Sequence, residues 1–155
     1  MNNDVIVIIA EDDDGHALLI EKNLRRTGIA NSIMRFSDGE ETLDFLLKRG
    51  TGPHAKSGQG YLLLLDVLMP KVGGVEVLRE IKQDPELRKI PVIMITTTDD
   101  PREVEHCHIL GCSNYITKPV DYDKFVKAIR QLGLFLMVVE VPRINGEQSG
   151  EQSPS

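Results

Sequence analysis

The chain has 155 residues, and 41% of them are hydrophobic, which is enough to bury the core of one domain. Its 24 acidic and 18 basic residues give a net charge of -6, which repels a nucleic-acid backbone. Residues 1–4 lack the positive charges of a signal peptide, and no apolar run approaches the length of a membrane span. We therefore expect a cytoplasmic domain that binds neither nucleic acid nor membrane.

Five short apolar runs have the length and composition of buried strands. They cover residues 5–10, 32–36, 62–65, 92–95 and 115–117, and the second run is the weakest. Runs that are apolar throughout, rather than at alternate positions, are typical of a parallel sheet that is covered on both faces.

Helical periodicity fills the gaps between these runs. Ala17, Ile20 and Leu24 recur at the spacing of one helix face, and Gly28 marks the end of that helix. Four further helices are predicted to begin near Asp38, Val75, Asp100 and Asp121. Because strands alternate with helices, the predicted fold class is α/β, with a five-stranded parallel sheet joined by right-handed crossovers.

Polar residues follow four of the predicted strands. Glu11 and Asp12 come after the first run, Asp66 after the third, Thr96 after the fourth and Lys118 after the fifth. The carboxyl ends of parallel strands meet at one edge of a sheet, so these side chains are expected to converge. Carboxylates held that close need a cation, a shared proton or an ammonium group to offset their charge. Lys118 supplies an ammonium group, and an oxygen-only cluster suits Mg²⁺.

Each of these residues alone has an ordinary structural interpretation, such as a helix cap or a loop residue, but the set matches a known pattern. The sequence resembles the receiver domain of bacterial two-component response regulators over about residues 5–134. The matching residues are the pair Glu11 and Asp12, Asp66 before x-x-Met-Pro, Thr96, and Lys118 before Pro119. The resemblance implies a doubly wound, flavodoxin-like sheet with the strand order 2-1-3-4-5.

The resemblance also implies a chemistry. Asp66 is expected to accept a phosphoryl group from a histidine kinase, with Mg²⁺ held by Glu11, Asp12, Asp66 and the backbone carbonyl of Leu68. A carboxylate attacks phosphorus only when the charges of both groups are neutralised, and the expected cation provides that compensation.

Three further roles follow from the same resemblance. Lys118 is expected to contact the phosphoryl oxygens, Thr96 to hydrogen-bond them, and Tyr115 to swing inward on activation. The protein would then signal by conformational change and protein contact, and would not act as an enzyme on other molecules. Two residues depart from the family pattern: Leu68 offers no polar side chain to position a hydrolytic water, and Thr97 is bulkier than the small residue often found after Thr96. A slow or restricted phosphoryl exchange is therefore expected.

Two short motifs narrow the resemblance. Thr96-Thr97 followed by Asp99-Asp100-Pro101, and the segment from Gln131 to Phe135, are similar to those of single-domain regulators that serve phytochrome kinases. The expected partner is therefore a histidine kinase of the phytochrome type.

Three other functions are alternatives for this sequence. An aspartyl phosphatase or mutase usually has a second aspartate two residues after the nucleophile, where this chain has Leu68. A flavin or nucleotide module needs a glycine- or hydroxyl-rich loop after the first strand, and a scaffold would act without phosphorylation. A metal site at His106, Cys107, His108 and Cys112 is disfavoured because neighbours two apart on a helix diverge; ordinary packing is expected there.

The apolar residues near the end of the chain predict a homodimer. Residues 1–134 are taken as the receiver domain, 135–144 as an apolar arm and 145–155 as a disordered polar tail. Exposed apolar residues of this kind mark an interface, and their β-branched content favours an extended arm. A two-fold homodimer through the arm and the fourth and fifth helices is expected, the alternative being an arm folded on its own domain. The arm residues are Leu134, Phe135, Leu136, Met137, Val138 and Val139.

Overall fold

Five parallel strands form one sheet with the order β2-β1-β3-β4-β5. Their bounds are β1 (Ile6–Ala10), β2 (Ile33–Phe36), β3 (Tyr61–Leu65), β4 (Val92–Thr96) and β5 (Asn114–Thr117). The computed structural model describes residues 1–118 and 121–145. The predicted fold class and strand order are confirmed.

Five α-helices and one 3₁₀ helix connect the strands. They are α1 (Asp14–Arg26), α2 (Gly39–Leu46), α3 (Gly74–Gln83), the 3₁₀ helix Leu87–Lys89, α4 (Pro101–Leu110) and α5 (Tyr122–Leu136). The predicted caps form: Asp38 accepts from the backbone of Glu41, and Asp100 caps the helix that starts at Pro101. Within the described residues no helix is both long and apolar enough to cross a lipid bilayer.

The two faces of the sheet carry separate apolar cores. On one face α1 and α5 cover alternate strand residues, with Ile20 and Ile129 both buried there. On the other face α2, α3 and α4 cover the remaining strand residues, and Leu78 and Cys107 are fully buried. β3 is buried at every position because it lies between β1 and β4, as its continuous leucines predict.

Helix α5 is longer than the sequence indicated. It continues to Leu136, which is fully buried in the same core as Ile129 and Leu132. These three residues follow the i, i+3, i+7 spacing of one helix face, so burying Leu136 favours one more helical turn. The expectation of an extended chain from residue 135 is therefore wrong for the first residues of the arm.

Residues 137–145 run back along the amino-terminal edge of the sheet. Val139 and Val141 pack against the core under α1 and α5, whereas Ile144 is fully buried in the core on the other face. Arg143 forms an antiparallel bridge with Gly60, next to the start of β3. The exposed apolar residues of the predicted arm are Leu134, Phe135, Met137 and Val138. Beyond position 145, the predicted polar tail lies outside the residues that the structure describes.

Gly74 marks a close approach between α3 and the end of β3. A Cβ atom at this position would lie 2.0 Å from the backbone oxygen of Asp66, a distance that no side chain tolerates. Gly74 therefore serves close backbone packing, whereas a Cβ atom at Gly73 would make only an ordinary contact, 3.5 Å from the backbone oxygen of Val67. This packing fixes the backbone that carries Asp66.

Gly74→Ala should destabilise the protein by about 1–3 kcal/mol, because the added methyl group must push α3 away from Asp66. Urea unfolding followed by circular dichroism measures the change. Gly52→Ala is the matched control, since nothing lies within 4 Å of its Cβ position. Equal stability of the two variants would contradict the close-approach account.

Candidate functional site

The carboxyl ends of four strands place charged and hydroxyl groups at one edge of the sheet. Glu11 directly follows β1, Asp66 follows β3 and Lys118 follows β5, while Thr96 is the last residue of β4. All four residues are buried, although three of them carry ionisable groups. Ionisable residues are seldom buried unless they are paired, so the edge needs an electrostatic explanation.

Lys118 pairs with two carboxylates. Its Nζ donates to Glu11 Oε1 at 2.5 Å and to Asp66 Oδ2 at 3.0 Å. Lys118 is 7% exposed, Glu11 2% and Asp66 6%, so little water screens these charges. One ammonium group offsets two carboxylates only partly, and the buried cluster retains an excess of negative charge.

The ionisation of Glu11 reflects its burial and this excess of negative charge. Burial raises the pKa of Glu11 to about 7, and the charge of Asp66 adds to the effect, even though the hydrogen bond from Lys118 opposes it. Burial lowers the pKa of Lys118, but the hydrogen bond and charge of Glu11 and the charge of Asp66 outweigh it and raise the pKa overall. Lys118 is therefore a stable cation, and Glu11 is the group that takes up a proton.

Asp12 completes an acidic cluster. One ligand oxygen from each of Glu11, Asp12 and Asp66 lies within 4.8 Å of the others, and Asp12 is exposed whereas the other two are buried. This set of oxygen donors, with one open side and excess negative charge, fits a hard divalent ion such as Mg²⁺. Leu68 donates its backbone N–H to Asp66 Oδ1 at 3.2 Å and turns its side chain outward. Its carbonyl stays a predicted ligand.

His16 also contacts Lys118, and no motif in the sequence predicts this contact. Its Nδ1 lies 3.3 Å from Lys118 Nζ, and its ring packs against Phe125 with 5.8 Å between ring centroids. His16 lies in the first turn of α1, four residues after Asp12, on the helix that leaves the acidic pair. That position was the available signal, because a first-turn side chain at this point faces the same edge of the sheet.

Thr96 and Tyr115 both hydrogen-bond to Thr98, in the loop that follows β4. Thr96 is fully buried, and its Oγ1 accepts from the backbone of Thr98 at 3.4 Å. Tyr115 donates its hydroxyl to the backbone carbonyl of Thr98 at 2.8 Å. Burial raises the pKa of Tyr115 to about 12, so its hydroxyl stays protonated and can donate. Both side chains thus hold the same loop, between β4 and α4.

The two cysteines of the histidine and cysteine cluster, in and just after α4, are packed in the apolar core. Cys107 and Cys112 are buried free thiols, and burial raises the pKa of Cys107 to about 11. Cys112 Sγ lies 3.7 Å from His108 Nδ1. The acidic triad is the one cluster with metal-binding geometry among the residues that the structure describes, so the α4 group provides no second one.

A doubly wound parallel sheet with an acidic cluster and a buried lysine at its carboxyl edge defines a signalling domain of the receiver class. The family profile for the response regulator receiver domain matches residues 7–130, and the chain belongs to that family. The protein is therefore a receiver domain of two-component systems, a class of signalling domain rather than of classical enzymes.

Solved structures share this fold. A response regulator receiver domain from Rhodospirillum rubrum is 45% identical, with a TM-score of 0.85, and the match covers 91% of this chain and 99% of that one. The phosphorylated cyanobacterial phytochrome response regulator RcpA is 29% identical, with a TM-score of 0.80 and coverage of 88% and 97%.

A third relative is the response regulator Rcp1 of Synechocystis sp. It is 30% identical over 138 residues, which are 88% of this chain and 92% of that protein. The structure of the Mn²⁺-bound form of Rcp1 has a TM-score of 0.79 and covers 88% of this chain and 98% of its own. The resemblance to phytochrome-associated regulators is confirmed by these relatives.

Glu11→Gln should change how stability depends on pH. The folded-state pKa of Glu11, about 7, lies above its usual value of 4.5. The contribution of Glu11 to the free energy of unfolding is therefore fully present below pH 4.5, and it is lost as the pH rises through about 7 and the buried carboxyl ionises. Relative to the variant, the wild type should lose stability across this window with a slope of at most ~1.4 kcal/mol per pH unit.

Urea unfolding at several pH values, in the presence of a chelator, measures this difference. Glu105→Gln, on the exposed face of α4, is the control and should follow the wild type throughout. Parallel curves for the wild type and Glu11→Gln would show that the buried carboxyl does not titrate in this window.

Proposed function

We propose that this protein is a single-domain response regulator that accepts a phosphoryl group from a histidine kinase on Asp66. The observation that carries the proposal is the position of Asp66, buried at the end of the central strand with Oδ2 at 3.0 Å from Lys118 Nζ. Its Oδ1 accepts from the backbone of Leu68, so both carboxylate oxygens are oriented by the protein. Preorganised donors of this kind favour the transfer of charged groups.

The transfer consists of one bond formed and one broken. A carboxylate oxygen of Asp66 bonds to phosphorus while the bond from phosphorus to the histidine nitrogen of the kinase breaks, and the electron pair leaves with that nitrogen. Lys118 stays a cation and offsets the charge that the phosphoryl oxygens bring to the site. Nothing in the step requires Asp66 to lose a proton, because it reacts as a carboxylate.

Glu11, Asp12, Asp66 and the carbonyl of Leu68 are proposed to hold Mg²⁺. When bound, the ion supplies positive charge that offsets both the acidic cluster and the phosphoryl oxygens. The acidic triad supports this role, and so does the similarity to Rcp1, which has a structure in a Mn²⁺-bound form.

The added phosphoryl group is proposed to act on the loop between β4 and α4. It brings about two negative charges at neutral pH, which attract hydroxyl donors such as that of Thr96. The Oγ1 of Thr96 now accepts from Thr98, and Tyr115 donates to the carbonyl of the same residue. Moving Thr96 toward the phosphoryl group would release Thr98 and allow Tyr115 to turn inward, which changes the surface around α4 and β5.

The partner is proposed to be a phytochrome-type histidine kinase in the cytoplasm. The similarity to RcpA, a phytochrome response regulator, supports that partner. The exposed side chain of Leu68 at the mouth of the site cannot orient a hydrolytic water molecule. A long-lived acyl phosphate is proposed for that reason.

Asp66→Asn should abolish phosphorylation, because the amide keeps the shape of the side chain but lacks the nucleophilic oxygen. The measurement is uptake of label from radiolabelled acetyl phosphate or from a cognate kinase, with and without Mg²⁺. Asp13→Asn is the matched control, since Asp13 caps α1 outside the acidic triad and asparagine also caps helices. It should label as the wild type does. Wild-type labelling of Asp66→Asn would refute the assignment of the acceptor.

A homodimer is also proposed, formed through the end of α5 and the residues after it together with α4. Leu134, Phe135 and Val138 expose apolar surface at the end of α5, and Ile109 is exposed on α4. A groove of about 280 Å³ lies between the edge strand β5 and α5. It is lined by Asn114, Ile116, Ala128, Gln131, Leu132 and Phe135. A two-fold partner would place its own apolar residues against this surface, which is how such a patch is usually covered.

Replacing both Phe135 and Val138 by glutamate should convert the dimer to a monomer, because the charges would be buried in the interface. Light scattering at micromolar concentration measures the mass. Both residues are exposed in the single chain, so folding should be retained, unlike in a truncation that removes the buried Leu136. Leu18→Glu, at an equally exposed apolar position on α1, is the control and should stay dimeric. A monomeric wild type at this concentration would refute the proposed dimer.

A further inference from the structure

The ammonium group of Lys118 has three hydrogens and three acceptors. Two acceptors are carboxylate oxygens of Glu11 and Asp66, and the third is Nδ1 of His16 at 3.3 Å. A protonated lysine only donates, so Nδ1 of His16 is the unprotonated ring nitrogen and Nε2 carries the proton. The contact therefore assigns the tautomer of this imidazole.

The ring of His16 is held in place from two sides. Its backbone N–H donates to Asp13 Oδ1 at 2.9 Å, which fixes the first turn of α1. The imidazole packs against Phe125, in the first turn of α5, with the two ring planes at 59°. The two helices that cover this face of the sheet thus orient the Nδ1 lone pair toward Lys118.

The three acceptors differ in what else they are expected to do. Glu11 and Asp66 belong to the acidic cluster, so a bound divalent ion would compete with Lys118 for their oxygens, and phosphorylation would occupy one oxygen of Asp66. His16 is outside that cluster and accepts without adding negative charge to it. A third carboxylate in its place would increase the repulsion that already raises the pKa of Glu11.

We propose that His16 is a positioning residue. It keeps Lys118 Nζ directed at Asp66 when a divalent ion binds the carboxylate oxygens of Glu11 and Asp66. The inference rests on the proposed function of Asp66 as phosphoryl acceptor. It gives α1 a role in the reaction, in addition to the roles of the acidic pair, the lysine and the hydroxyl residue.

The test separates the acceptor atom from the bulk of the ring. His16→Asn places its Oδ1 near the position of Nδ1 but loses the packing on Phe125, whereas His16→Leu keeps apolar bulk and loses the acceptor. His16→Gln carries its acceptor one atom further out. The second-order rate constant for labelling by acetyl phosphate should fall about tenfold in the leucine and glutamine variants and stay within about twofold of the wild type in the asparagine variant. A leucine variant as fast as the wild type, or an asparagine variant as slow as the leucine variant, overturns the inference.

A second arm tests whether the effect passes through Lys118. In a Lys118→Met background, changing His16 to leucine should cause no further loss of rate, because the donor of the hydrogen bond is already absent. An undiminished tenfold loss there would assign His16 a role independent of Lys118. Thermal unfolding of each variant checks that the proteins compared are folded.

A third measurement does not depend on phosphorylation. Nitrogen-15 NMR of the histidine ring in the unphosphorylated protein should show His16 protonated on Nε2 and unprotonated on Nδ1, with a Nδ1 signal that changes in Lys118→Met. The opposite tautomer would overturn the contact itself. If the wild type takes no label at Asp66 but shows this tautomer, the proposed function fails while the link between His16 and Lys118 stands.

Discussion

The site depends on the burial of one ammonium group between two carboxylates. A buried charge without a partner costs several kcal/mol, so Lys118, Glu11 and Asp66 stay buried only because they neutralise one another. The neutralisation is incomplete. Burial, together with the charge of Asp66, raises the pKa of Glu11, and the remaining negative charge prepares the edge for a cation. Stability and function are thus opposed at this site, because the charged groups needed for the chemistry are also the groups whose burial is most unfavourable for folding.

The fold holds these charges in place through apolar contacts. β1 and β3 are neighbours in the middle of the sheet, so the residues that follow them, Glu11 and Asp66, are adjacent without any flexible connection. The first turn of α3 presses on the backbone of Asp66 at Gly74, which leaves that residue little freedom to retreat. A carboxylate that cannot move away from its neighbours must be compensated by ligands, which favours binding over relaxation.

Much of this arrangement could be predicted from the sequence because its signals are local. Continuous apolar runs identified the strands, Asp38 and Asp100 identified helix starts, and charged residues after the strands pointed to a shared edge. Contacts between distant segments left little or no such signal. The burial of Ile144 depends on how the end of the chain packs, which local patterns do not encode. The contact of His16 with Lys118 had only one signal, the position of His16 in the first turn after the acidic pair. The prediction placed the end of α5 too early because the β-branched residues near the end of the chain favour an extended conformation, although Leu136 keeps the helical spacing of Ile129 and Leu132.

The pairing of β1 with β3 has a consequence for how the protein folds. Ile6 pairs with Tyr61, so the central strands join only after the chain has closed a long loop that contains β2 and two helices. Non-local pairing of this kind slows folding, because the entropy of loop closure is lost before the contacts form. Glu11 and Asp66 are separated in the same way, and Lys118 lies further still along the chain. A nascent or partly folded chain therefore has no assembled acidic edge, and the charge cluster arises only when the cooperative folding of the whole sheet is complete.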